Sequence, residues 1–177
     1  MAMRRLGGHV RAVWVSVVDT LAALLLVVAA VVIPWATLKD EATGVTTVFR
    51  GGPLSVVLVL FAICVVALAL LSLVWPSPVL YGIQAAVGAL AVVVSIALAL
   101  SKIALANETA RGGATASVTG IGTTVGHATE TAYAMGGAVA VAAAGLIMVA
   151  SLVGLANSQA TDRSGHLADD LLAAPPP

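Results

Sequence analysis

Long apolar runs separated by short polar stretches set the pattern of this chain. A membrane-crossing helix needs roughly 20 predominantly apolar residues. Four segments reach that length, at about 12–33, 54–74, 79–100 and 134–156. The first begins after Arg4, Arg5 and Arg11 and carries an apolar core from Leu21 to Ile33, an arrangement also found in signal peptides. Pro34-Trp35-Ala36 lacks the small-x-small pattern of a cleavage site, so an uncleaved span is expected. The second and third spans are joined by Trp75-Pro76-Ser77-Pro78. Two prolines remove backbone donors and stop helix continuation, and so short a link forces an antiparallel hairpin. The expected fold class is an all-α integral membrane protein, a four-transmembrane-helix bundle with small extracytoplasmic loops and a short β cap.

The β cap is expected from the polar segments. Residues 36–53 contain T-G-V-T-T-V-F, and residues 101–133 contain A-T-A-S-V-T-G-I-G-T-T-V-G, in which Thr115, Ser117 and Thr119 alternate with small or apolar residues. Such alternation, punctuated by glycine, predicts strands or a hairpin, although the same composition also suits an irregular loop. Lys102–Ala110 is the alternative continuation of the third helix. Residues 1–11 form a basic N-terminus, and 157–177, polar and ending in three prolines, read as a disordered tail. Within that tail L-A-D-D-L-L suits a short partner-binding helix. The positive-inside rule, applied to the three arginines before the first span and the single Lys39 close after it, sets both termini in the cytoplasm of an inner membrane.

Composition sharpens this picture. The chain of 177 residues is 60% hydrophobic and 9% charged, against about 25% charged in soluble domains. Net charge is zero and no basic block occurs, which removes the footing for nucleic-acid binding. The single cysteine, Cys64, lies deep in an apolar run and excludes an internal disulfide and a cysteine metal cage. Gly120-Ile121-Gly122 lacks the strand-to-helix context of a dinucleotide site. His127 and Glu130 would share a helix face, with Glu108 elsewhere in the same loop, but zinc sites need three or four ligands at stronger spacing. No cofactor and no metal is expected. Trp14, Trp35, Trp75 and Tyr81 fall near span ends, where amphipathic rings anchor at headgroups.

Asp19 is the one charge well inside a span. At roughly 1.5 Å rise per residue it lies about 10 Å from the start of the first helix. Gln84, Ser72 and Ser151 fall at a similar level of the other three spans. The remaining depth is almost wholly apolar, with Ser55, Cys64 and Ser95 as exceptions, so no continuous polar track for conduction is visible. Three roles fit Asp19: reaching the interface, hydrogen bonding inside the bundle with Gln84 as donor, or meeting another membrane subunit. The fourth span is built differently. Gly137, Ala140, Ala144 and Ser151 lie near one another at helical spacing, and small residues let helix backbones approach closely in lipid.

Trp35 at the end of the first helix, Gly51-Gly52 entering the second, and Gly136-Gly137 with Gly145 in the last give the chain a layout that resembles the small four-span membrane proteins of actinobacteria, including the tryptophan-operon-associated type. The resemblance spans nearly the whole chain and implies a four-span fold, with no activity or functional residue to carry over. The expectation for function is a non-catalytic accessory, scaffold or assembly subunit, in contact with the lipid bilayer and with a membrane-protein partner or further copies of itself. A small oligomeric transporter or channel using Asp19 is the alternative.

Overall fold

The computed structural model describes residues 2–40, 46–50, 52, 55–119, 129–133 and 135–173 of the chain. Its elements follow the order α1 (Ala2–Val31), β1 (Ala36–Asp40), β2 (Thr46–Phe49), α2 (Ser55–Val74), α3 (Pro78–Thr119), β3 (Thr129–Tyr133) and α4 (Gly136–Ala173). Among the described residues, four helices are long and apolar enough to cross a membrane, over Val13–Val31, Ser55–Val74, Pro78–Leu105 and Gly136–Ala160. Neighbouring helices pack as a closed ring: α1 on α2, α2 on α3, α3 on α4 and α4 back on α1, with the α3–α4 contact the most extensive.

The helix ends have local causes. Pro34 disfavours helical geometry at Ile33, and α1 stops at Val31. Both Val32 N–H and Ile33 N–H then donate to Val28 O, at 2.9 and 3.2 Å, and the indole Nε1–H of Trp35 donates to Ala29 O at 2.9 Å. Trp35 thereby serves a carbonyl of the last helical turn, one of the acceptors a helix end leaves open. The link between α2 and α3 is an antiparallel hairpin. Ser77 precedes α3 as its N-cap, with its Oγ accepting from Val79 N–H at 3.3 Å, and Pro78 takes the first helical position, where no N–H is needed. Gly52, at φ +68°, makes the turn that leads into α2.

A three-stranded antiparallel sheet of order β2-β1-β3 lies at the end of the bundle where α1 finishes and α4 begins. Ala36 opposes Phe49 on one side and Tyr133 on the other, and Lys39 opposes Thr46 and Glu130. The sheet is joined to the helices by Trp35 N–H donating to Phe49 O at 2.8 Å and Gly136 N–H donating to Pro34 O at 2.9 Å.

Three segments differ from the sequence reading. Thr115, Ser117 and Thr119 are helical, because α3 runs on to Thr119. Once a helix is nucleated, each added residue fixes one backbone position and gains one hydrogen bond, and the Ala-, Leu- and Glu-containing stretch after Lys102 favours that extension. The third strand forms instead at Thr129–Tyr133. Residues 157–173 are likewise helical rather than a disordered tail, the same propagation carrying α4 to Ala173; the terminal prolines lie outside the described residues.

The interior is made of small side chains. Ala22, Ala23, Ala29, Ala30, Ala62, Ala69, Ala91, Ala140, Ala143 and Ala144 are buried with Leu26, Leu58, Val65, Leu98, Ile147, Trp35 and Tyr81 as the larger exceptions. Leu21, Leu24, Val56, Leu60, Ile63, Val93, Ile96 and Leu146 are exposed on the outer surface. Size is therefore distributed small inside and large outside, which brings helix backbones close. At Gly88 the backbones of α3 and α4 come close together: a Cβ there would lie 2.8 Å from Met148 N and 3.0 Å from its Cα.

Candidate functional site

The polar groups of the four helices meet in one enclosed layer. α1 supplies Ser16 and Asp19, α2 supplies Ser72, α3 supplies Tyr81 and Gln84, and α4 supplies Ser151. Ser16 and Asp19 are three apart, as are Tyr81 and Gln84, so each pair occupies one helix face. Asp19, Gln84 and Ser151 are all 0% exposed.

Asp19 is the hub. Its Oδ2 accepts from Gln84 Nε2 at 3.3 Å and from Ser151 Oγ at 3.4 Å. One turn earlier, Ser16 Oγ donates to Ala69 O at 3.1 Å and lies 3.2 Å from Ser72 Oγ, which itself donates to Ala69 O at 2.8 Å. Every one of these contacts between helices has α1 on one side: Ser16 ties it to α2, and Asp19 ties it to α3 and α4. Tyr81 lies close enough to interact with both Ser72 and Asp19. Among the described residues, three buried side-chain atoms have no hydrogen-bond partner: Asp19 Oδ1, Gln84 Oε1 and, nearer the other end of α3, Ser95 Oγ.

Asp19 is thus enclosed by its own chain, away from the rim and from any outside surface. Gln84 and Ser151 come together with it. Gly137, Ala140 and Ala144, the other small positions of α4, also turn inward. A Cβ on Gly137 would stand 2.8 Å from Ala99 Cβ and 3.6 Å from the Trp35 ring, so this stripe packs within the bundle. Three other hydroxyls bond to their own helix: Thr20 to Ser16 O at 2.7 Å, Ser101 to Leu98 O at 2.8 Å and Ser158 to Leu155 O at 2.8 Å.

Two of the aromatic anchors expected from sequence are buried instead. Trp35 is 2% exposed, sealed by its bond to Ala29 O, and Tyr81 is 3% exposed within the polar layer. Trp14 and Trp75 remain on the surface, at 67% and 70%. Proximity to a span end does not say which way a ring faces; helical spacing does. Tyr81 shares a face with Gln84, and Ser16 with Asp19, so both missing members of the layer carried that signal. Glu130 sits in β3, where the shared helix face with His127 does not exist, and His127 itself lies outside the described residues. No group of three His, Cys, Asp or Glu capable of holding a metal occurs among the described residues.

The arrangement suits fixing four helices to one another at one depth. Compared with known family models and with curated proteins, the chain has no match in either.

Proposed function

We propose that the chain is a multi-pass membrane protein acting as a non-catalytic accessory, scaffold or assembly subunit of an inner-membrane complex. The supporting observation is the direction of the polar groups. Ser16, Asp19, Ser72, Gln84 and Ser151 turn inward and bond within the chain, while large aliphatic side chains cover the outside. A bundle of that kind offers lipid and partner helices an apolar surface, with Trp14 and Trp75, both at the end that carries the Ser16–Ser72 contact, suited to one headgroup level. Both termini are assigned to the cytoplasm in this reading, from the arginines before the first span. Kinship with the small four-span actinobacterial proteins belongs to the same proposal. Gentle detergent extraction from the native membrane followed by native mass analysis tests it: a specific complex is expected, and a lone monomer in repeated preparations refutes it.

A second reading, a small oligomeric transporter or channel using Asp19, draws on the unpartnered Asp19 Oδ1 and Gln84 Oε1. Proteoliposome flux that is lost in Asp19→Asn would favour it; flux that is absent, or indifferent to the substitution, counts against it.

A further inference from the structure

Asp19 Oδ1 and Gln84 Oε1 are both buried, both unpartnered, and belong to groups already joined by the Gln84 Nε2–Asp19 Oδ2 contact at 3.3 Å. Each orphan is an acceptor. Two enclosed acceptors on adjoining groups lack the same thing, a hydrogen donor. Reversing the Gln84 amide gives no relief, since it would set two acceptors against each other at Oδ2.

The lengths of the existing contacts bear on what fills that place. Hydrogen bonds to an ionised carboxylate are short, about 2.5–2.7 Å from a hydroxyl and about 2.7–2.9 Å from a cationic nitrogen. Ser151 Oγ and Gln84 Nε2 stand at 3.4 and 3.3 Å. Neither is contracted as the contacts of an ion drawing in its donors would be, and both are longer than the usual bonds between neutral partners as well. Among the described residues no cation faces the site either. The groups packed around Asp19 are Ser16 on α1, Ser72 on α2, Tyr81 and Gln84 on α3, and Ser151 on α4; Tyr81 is the only other titratable side chain among them, and it is not cationic at any pH. The nearest charge along α1, Arg11, is about 12 Å away by helical rise. An ionised group enclosed in a bundle without a counter-charge is strongly disfavoured.

We propose that Asp19 is a proton-binding site: the carboxyl is carried as the neutral acid, with its proton on Oδ1 donated to Gln84 Oε1. The acid O–H and the amide N–H then run in opposite directions between the two side chains and close a ring that satisfies both orphans with one proton. This holds whether the protein is an accessory subunit or a conduit.

Infrared spectroscopy of the full chain in phosphatidylcholine vesicles at neutral pH tests it. A carbonyl band of a protonated carboxylic acid is expected, shifting when the aspartates are labelled with carbon-13 and when the solvent is exchanged for heavy water. The band should vanish in Asp19→Asn and move to higher frequency in Gln84→Leu, where the carbonyl loses its amide donor. Absence of an acid band in the wild-type protein overturns the proposal, and so does a band insensitive to the aspartate label; neither result depends on a variant folding. A band that survives in folded Asp19→Asn, or stays unmoved in folded Gln84→Leu, overturns it equally.

Discussion

Replacing Asp19 by leucine probes the polar layer most directly. The substitution removes the acceptor of both the 3.3 Å contact from Gln84 and the 3.4 Å contact from Ser151. Those two losses are small, since hydrogen bonds between membrane helices average about 0.6 kcal/mol each. Ser151 can turn to a carbonyl of its own helix, as Ser101 and Ser158 do at 2.8 Å. Gln84 has no such exit. It is fully buried, and its amide is left facing aliphatic carbon, which costs about 1–3 kcal/mol. Asp19→Leu should therefore destabilise the bundle by about 2–4 kcal/mol, most of it arising at Gln84. Gln84→Leu removes the stranded group itself, so the double variant should be less damaged than the sum of the single ones by at least about 1 kcal/mol. Equilibrium unfolding in mixed micelles, titrated with a denaturing detergent and followed by Trp fluorescence, measures all four corners of the cycle. Additive losses, or an Asp19→Leu protein within about 0.5 kcal/mol of wild type, would refute the view of Asp19 as the hub of the layer.

Other outcomes follow from the same packing. Gly88→Leu places carbon about 2.8 Å from the Met148 backbone; α3 and α4 must separate, and a loss of about 1–3 kcal/mol or more is expected in the same unfolding assay. Trp35→Phe keeps the buried ring but withdraws the donor to Ala29 O, with an expected cost of about 1–2 kcal/mol. In single-tryptophan variants, lipids brominated along the acyl chain or at the headgroup should quench Trp14 and Trp75 but spare Trp35, following their exposures of 67%, 70% and 2%; strong quenching of Trp35 would contradict the sealed cap. Cys64 lies on the outer surface of α2, near its middle. In intact vesicles it should resist water-soluble maleimide and react once the protein is denatured; rapid labelling before denaturation would argue against a lipid-facing α2.

Much of this was legible because long apolar helices announce themselves by length and apolarity, and the four segments read from the sequence fall on four helices long and apolar enough to cross a membrane. The level shared by Asp19, Ser72, Gln84 and Ser151 followed from rise per residue alone. Facing was harder. Trp35 and Tyr81 sit where interfacial rings belong, and only their partners, Ala29 O and the Ser72–Asp19 layer, explain why they turn inward. The segment after Leu100 misled for a different reason. Its threonines favour strand locally and its glycines punctuate it as turns would, but a long apolar helix was already running into it, and propagation outweighed local preference as far as Thr119. The strand that pairs with β1 had to come from Thr129–Tyr133, a match decided by the partner edge and not by its own pattern.

That both partners of Asp19 come from later helices has a consequence for biogenesis. Asp19 is separated from Gln84 by 65 residues and from Ser151 by 132. At synthesis rates of about 5–20 residues per second, the carboxyl waits roughly 3–13 seconds for its first partner and roughly 7–26 seconds for the second. During that interval α1 carries an unshielded acid while its eventual neighbours are still on the ribosome. If the chain inserts as proposed above, the helix would have to wait with its carboxyl unpaired until the α2–α3 hairpin arrives. The residue that ties the finished bundle together would then also be the one that leaves its first helix incomplete the longest.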